Sequence, residues 1–176
     1  MDSLAARTDA WLAKQRVPLG FLAAVAALLF AQPAWEWWAV GLGVALAGEG
    51  LRIWASGHLE KGREVTRSGP YRWMRHPLYD GSAVIAVGVA IASLHVVVVV
   101  AIGLYMALTI RAAVRTEEAF LHRAFGGTYE DYRQSRTQPM TRRFSLDRAR
   151  RNREYRAVAG LGLGFGLLAL KVLLLL

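Results

Sequence analysis

The feature that most restricts this chain is how its residues are segregated. Long apolar blocks alternate with arginine-dense blocks, rather than apolar positions recurring among polar ones at the period of a helix or a strand. The chain is 55% hydrophobic with a mean hydropathy of +0.27, yet it carries 22 Lys and Arg against 13 Asp and Glu. A soluble domain with one core does not sort its residues that way; a chain threaded through a bilayer does. The expected fold class is therefore an all-α, polytopic integral membrane protein with about five transmembrane helices, each needing about 20 apolar residues to cross.

The blocks place the spans near 18–32, 36–55, 78–94, 96–114 and 157–176, with cytoplasmic loops over 56–77 and 115–156, all in one membrane domain covering 1–176. Pro33 and the cluster Trp35, Trp37 and Trp38 mark an interfacial turn, the depth that an indole with one polar edge prefers. The stretch from Leu78 to Val114 reads as a hairpin broken at Ser93-Leu94-His95, because a single span would put the two large basic blocks on opposite sides. With the hairpin, every basic residue except Lys171 falls on one side, and Lys171 is placed to snorkel to the other interface. That orientation sets the N-terminus in the cytoplasm and the C-terminus outside, in what reads as a bacterial inner membrane. Met1 to Val17 reads as a retained amphiphilic segment, since no small-residue cleavage site follows it.

Several residues carry structural expectations. Glu49 lies within a span and has Arg52 one turn on as a ready ion-pair partner. Gly160, Gly162, Gly164 and Gly166 would let the last helix pack closely on a neighbour. His58 and His122 read as surface residues, and His95 as interfacial on the outer turn. The absence of cysteine excludes disulfides and thiolate chemistry. No His or acidic pair has ligand spacing on a shared face, so no metal is expected. No aromatic-basic recognition module accompanies the arginines, so no nucleic-acid partner is expected and membrane lipids are.

Two segments on the basic side hold more than topology requires. Ser68 to Gly81 contains Gly69-Pro70 and His76-Pro77, whose prolines bias the preceding residue away from the helical region and shape a loop that presents Arg75, His76 and Tyr79 at the mouth of the third helix. Arg111 to Leu121 continues the fourth helix, with Arg111, Arg115 and Glu118 on one face. Glu117 and Glu118 are adjacent and point to different faces, so Glu118 is the one expected at the site. Tyr71, Trp73 and Tyr79 suit an interfacial belt as well as a pocket.

Gly69-Pro70-Tyr71, then Arg75-His76-Pro77-Leu78-Tyr79-x-Gly81, Glu117-Glu118-x-x-Leu121 and Phe125-Gly126-x-x-Tyr129-x-x-Tyr132, with Arg52 to Leu59 as lead-in, resemble the isoprenylcysteine carboxyl methyltransferase family and its phospholipid methyltransferase relatives. The resemblance spans roughly Glu49 to Tyr132. It implies methyl transfer from S-adenosylmethionine, leaving S-adenosylhomocysteine, to a lipophilic small molecule or lipidated substrate at the membrane surface. It also implies a cofactor pocket lined by Tyr71, His76, Pro77, Leu78, Tyr79, Glu117 and Glu118 and closed by Tyr129 and Tyr132. Arg75, His76 and Glu118 would be the residues nearest the reaction, with Arg75 orienting the acceptor or the cofactor carboxylate. Two other readings stay open on the sequence: a membrane reductase of the sterol-reductase-like fold using NADPH, and a scaffold without activity.

Overall fold

The computed structural model describes residues 2–175 and, within 2–17, only the side chains of Thr8, Trp11, Leu12 and Gln15. All regular structure among the described residues is helical: α1 (Asp2–Phe30), α2 (Trp35–Ser56), a 3-10 turn (Gly69–Arg72), α3 (Pro77–Ser93), α4 (Val96–Arg133), α5 (Leu146–Arg151) and α6 (Tyr155–Leu175). The hairpin expected within 78–114 is present. Leu94 takes the left-handed conformation (φ 49°) that ends α3, and α4 starts two residues later. α1 begins well before the apolar block expected to form it and passes through Pro18. Among the described residues, α4 and α6 are the two helices long and apolar enough to cross a membrane; Pro18–Phe30 and Pro77–Ser93 are apolar but shorter.

α2 and α3 run antiparallel and form the closest pair, because glycines face backbone across the seam. A Cβ added at Gly48 would lie 2.7 Å from the Gly81 carbonyl oxygen, and one at Gly88 would lie 2.5 Å from that of Gly41. Small residues let the two backbones approach where larger ones would hold them apart. Within the chain the glycines of the last helix face no close neighbour: a Cβ at Gly160, Gly162, Gly164 or Gly166 meets nothing within 4 Å. α6 is fixed instead by Phe165 and Leu168, which join Ala31, Ala45 and Ala92 in the core, and by Trp38, whose indole N–H donates to the Phe165 carbonyl at 2.9 Å.

Lys171 does more than reach an interface. Its ammonium donates to the carbonyls of Leu28 (2.6 Å) and Leu29 (2.9 Å), which satisfies the C-terminal end of α1 where the helix dipole favours a cation. At the same end, the Gln32 amide donates to the Ser93 carbonyl and His95 stacks on Phe30 at 6.1 Å, so His95 sits at the hairpin turn as expected.

The opposite, basic end is laced by the segment between α4 and α6. Arg142 grips both carboxylate oxygens of Glu64 (2.6 and 2.8 Å), Arg148 donates to the Gly57 carbonyl (2.8 Å), and Asn152 donates to the carbonyls of Ser56 and Leu59. His58, expected on the surface, is buried inside this lacing, with its Nδ1 3.1 Å from the Ser68 hydroxyl. Burial and then the charges of Arg148, Arg142 and Arg72 hold its imidazole below the usual histidine range.

Candidate active site

His76 is the residue before Pro77, and its backbone (φ −132°, ψ 53°) stays outside the helical region as a residue preceding proline should. Its carbonyl accepts from the amides of Tyr79 (2.9 Å) and Asp80 (3.1 Å), so the first turn of α3 is closed by main chain and the imidazole is free to face away. It meets Glu118 on α4, with Nε2 3.3 Å from Oε1, across 42 residues of sequence. The Tyr79 ring lies 6.0 Å from that of His76.

Tyr129 and Tyr132 are brought to this cluster by a break in α4. Gly126 has φ 47° and ψ −121°, a combination that residues with a Cβ avoid, and the chain after it changes direction. Tyr129 then becomes fully buried, edge-on to the His122 ring at 4.9 Å and 6.3 Å from the Tyr132 ring. His122 is thus exposed, as expected, but packs on a site residue. The Tyr129 hydroxyl makes no hydrogen bond of ordinary geometry among the described residues, although the Glu118 carboxylate lies close enough to act on it. Burial, followed by the nearby Glu118 carboxylate, pushes its phenol up to about 12, with Arg75 opposing. The Tyr132 hydroxyl reaches the carbonyls of Tyr71 (2.8 Å) and Met74 (3.2 Å), tying the end of α4 to the turn that precedes α3; burial pushes this phenol up to about 12 as well.

The other expected site residues divide. Tyr71 is buried, and burial and then the charge of Glu117 raise its phenol, while Glu118 contacts His76. Leu78 contributes its carbonyl, which accepts from Arg52 Nη1 (3.2 Å) and from the Ser82 hydroxyl (2.9 Å). Tyr71, Arg75 and Tyr132 line a polar cavity of about 350 Å³; His76, Pro77, Tyr79, Glu118 and Tyr129 form the cluster beside it. Sequence reasoning gave Arg67, Arg72 and Arg133 to topology alone, yet all three line that cavity, and Arg67 Nε is buried without a partner. For Arg67 and Arg72 the signal was the density of arginines in the loop before α3; Arg133 lies at the end of α4.

Residues 50–128, which contain both halves of the His76–Glu118 contact, match the phospholipid methyltransferase family. This stretch of the chain is similar to that family. The family segment stops just short of Tyr129 and Tyr132, which the Gly126 break folds back against it.

Among curated proteins, the chain is 33% identical over 111 residues to the cobalt-zinc-cadmium resistance protein CzcN of Cupriavidus metallidurans, covering 57% of this chain and 51% of that protein. It is 32% identical over 122 residues to a probable protein-S-isoprenylcysteine O-methyltransferase of Oryza sativa subsp. indica, covering 61% and 64%. It is 34% identical over 110 residues to the nickel-cobalt-cadmium resistance protein NccN of Alcaligenes xylosoxydans xylosoxydans, covering 61% and 50%. The chain therefore spans between half and two thirds of the length of these relatives. No solved structure matches it.

Proposed function

We propose that the chain transfers a methyl group from S-adenosylmethionine to a lipophilic acceptor at the membrane surface. The observation that carries this reading is the His76–Glu118 contact, which joins two motifs 42 residues apart within the matched segment. The residues present fit the donor. Tyr129 has a buried hydroxyl without a well-formed hydrogen bond, Glu118 offers a carboxylate to an amino group or ribose, and Arg75 borders a cavity whose arginines suit a carboxylate. Tyr71, Pro77, Leu78, Tyr79, Glu117 and Tyr132 complete the surroundings of that pocket in this reading.

When bound, S-adenosylmethionine supplies an electrophilic methyl group on a sulfonium. The chain's own task is to hold the acceptor in line and keep water out, and no covalent nucleophile is needed. His76, held by Glu118, takes a proton from an amine or thiol acceptor, whereas a carboxylate acceptor arrives already ionised. An isoprenylcysteine-like carboxylate, a phospholipid and a small thiol or isoprenoid all fit a lipophilic acceptor. The name of the rice relative favours carboxyl O-methylation.

The same reading takes α1, α2, α3, α4 and α6 as five spans of an inner membrane. Large apolar side chains face outward on all five, among them Leu22, Leu46, Val87, Leu104 and Leu163, which suits lipid contact. The N-terminus and both basic loops then lie in the cytoplasm and the C-terminus outside. Because the chain has no cysteine, single cysteines at Arg63 and Arg136 report topology directly; both should label from the same side, and labelling from opposite sides would overturn the hairpin arrangement.

Calorimetry of the purified protein in detergent should give one-site binding of S-adenosylmethionine. His76→Ala and Glu118→Gln should each lower that affinity by about tenfold or more while leaving the thermal unfolding transition in place, as loss of a charged partner does. Wild-type affinity in both variants would remove the assignment.

A further inference from the structure

The polar cavity of about 350 Å³ holds more positive charge than a methyl donor can use. Arg67, Arg72, Arg75 and Arg133 all border it, and among the described residues no acidic side chain does. The first three come from the loop that leads into α3 and the fourth from the end of α4, so the chain brings them together from two directions. Ser135 and Thr137, just past α4, add two hydroxyls to the lining.

Elsewhere at this end of the molecule arginines are matched by acids. Arg142 pairs with Glu64 and Arg148 lies 3.0 Å from Glu60. The cavity arginines are not matched in that way. Arg72 donates to the Met140 carbonyl at 3.2 Å, and Arg133 reaches Glu130 on the outer surface of the same helix. Arg67 stands further apart. Its main-chain carbonyl accepts from the Met140 amide at 3.1 Å, which pins the backbone, while its Nε is shielded from solvent and has no hydrogen-bond partner among the described residues. A charged donor shielded in that state is costly unless an acceptor reaches it.

From this we infer that the cavity binds a phosphate-type dianion, a phosphomonoester or a diphosphate, with the Arg67 Nε among its donors. Charge selects the ligand. A carboxylate brings one negative charge, whereas a phosphomonoester near neutral pH carries about −1.5 to −2 and three acceptor oxygens. Guanidinium forks match those oxygens in pairs, and the Ser135 and Thr137 hydroxyls are further donors. S-adenosylmethionine does not meet the same demand, because its ammonium and sulfonium outweigh its single carboxylate. Even with that carboxylate on Arg75, three guanidiniums remain. The inference therefore stands whether or not methyl transfer occurs. A lipid headgroup and a free phosphate compound present the same chemistry to these arginines, and the exposed Trp73 on the cavity rim is placed as an indole at a membrane interface would be.

Inorganic pyrophosphate, titrated by calorimetry into the full chain in phosphatidylcholine nanodiscs, should bind at one site. The buffer holds about 0.15 M salt, where exposed charges more than about 8 Å apart are largely screened. Arg67→Met should weaken that binding by about tenfold or more, as loss of a hydrogen bond to a charged group does, and should leave the thermal unfolding transition in place, since Nε has no partner to lose. Arg63→Met removes an equal charge from a side chain that is 78% exposed and outside the cavity, and should leave the affinity within about twofold. Phosphatidic acid added to the nanodiscs identifies the source: competition with pyrophosphate assigns the site to a headgroup and its absence to a free anion, and the site stands in both cases. No saturable binding in the wild type, wild-type affinity in Arg67→Met, or an equal loss in Arg63→Met would each overturn the proposal. If Arg67→Met does not fold, Arg133→Met takes its place with the same expected loss, because that side chain is 46% exposed and its pairing with Glu130 lies at the surface.

Discussion

Two charged clusters in this molecule sit within a few turns of each other and are built on opposite plans. His76, Glu118, Tyr129 and Tyr132 come from motifs that stand out in the sequence; Tyr132 is tied to two main-chain carbonyls, but the side-chain contacts among the others are loose, a 3.3 Å imidazole–carboxylate contact and a phenol without a well-formed hydrogen bond. Arg52, Glu154 and Ser82 form no motif, yet the guanidinium is held by a carboxylate, a carbonyl and a hydroxyl at once. The first arrangement leaves polar atoms available to something that arrives; in the second the guanidinium spends its hydrogen-bonding capacity inside the fold, and only the Glu49 carboxylate beside it is left without hydrogen bonds among the described residues. Loose polar clusters near a cavity suit binding and chemistry, and saturated ones suit stability.

The sharpest way to break that contrast is to remove the centre of the saturated cluster. Arg52→Met should destabilise the protein by about 3 to 5 kcal/mol, because it leaves the Glu154 carboxylate buried and unpaired beside Glu49. Glu118→Gln should stay within about 0.5 kcal/mol of the wild type, as changes outside tightly packed networks do. Unfolding measured in detergent against added denaturant checks both, and equal losses in the two variants would erase the distinction.

A smaller effect is expected where the loose cluster is assembled. Gly126→Ala forces a Cβ into a positive-φ conformation, which costs about 1 to 3 kcal/mol, although the space around it is open. The strain is relieved if the break straightens, and Tyr129 and Tyr132 then leave the His76 side of the molecule. Donor affinity in this variant should therefore fall further than its stability does. Affinity and stability falling in step would mean that the break only supports the fold.

The loose cluster was legible because its chemistry lies in short motifs: His76-Pro77 marks a helix mouth, Glu118 a helix face, and the hairpin between them follows from the break at Ser93-Leu94-His95. What escaped the sequence depends on long-range pairing. Glu49 and Arg52, one turn apart, do pair as expected at 3.6 Å, but the hydrogen bonds of the guanidinium go to Glu154, 102 residues away and just before α6. His58 looks like a surface histidine until the segment from Arg142 to Asn152 covers it. The glycines show the same dependence: those at 160–166 look like a packing stripe and meet nothing within the chain, whereas Gly41, Gly48, Gly81 and Gly88 do the close packing because their helices happen to be partners. Local pattern names a small or polar residue, and only tertiary register says what it meets.

The smallest effect concerns the buried phenols and carries a sign that separates the clusters by pH. Tyr129 and Tyr132 are held at about 12 against an ordinary 10.0, so in the folded protein they keep their protons where the unfolded chain has lost them. The folded state then binds more protons than the unfolded state between pH 10 and pH 12, and stability must fall as pH rises through that window while staying flat, on this account, below it. For Tyr129 the first cause is burial and the next is the charge of Glu118, so Glu118→Gln should bring its phenol part of the way back toward 10. Arg52→Met, in the other cluster, should leave it alone. Ultraviolet titration of phenolate formation, with Tyr129→Phe as the subtraction among the six tyrosines, reads this directly. A Tyr129 phenol unmoved by Glu118→Gln would mean that burial alone sets it and that the carboxylate is turned wholly toward His76.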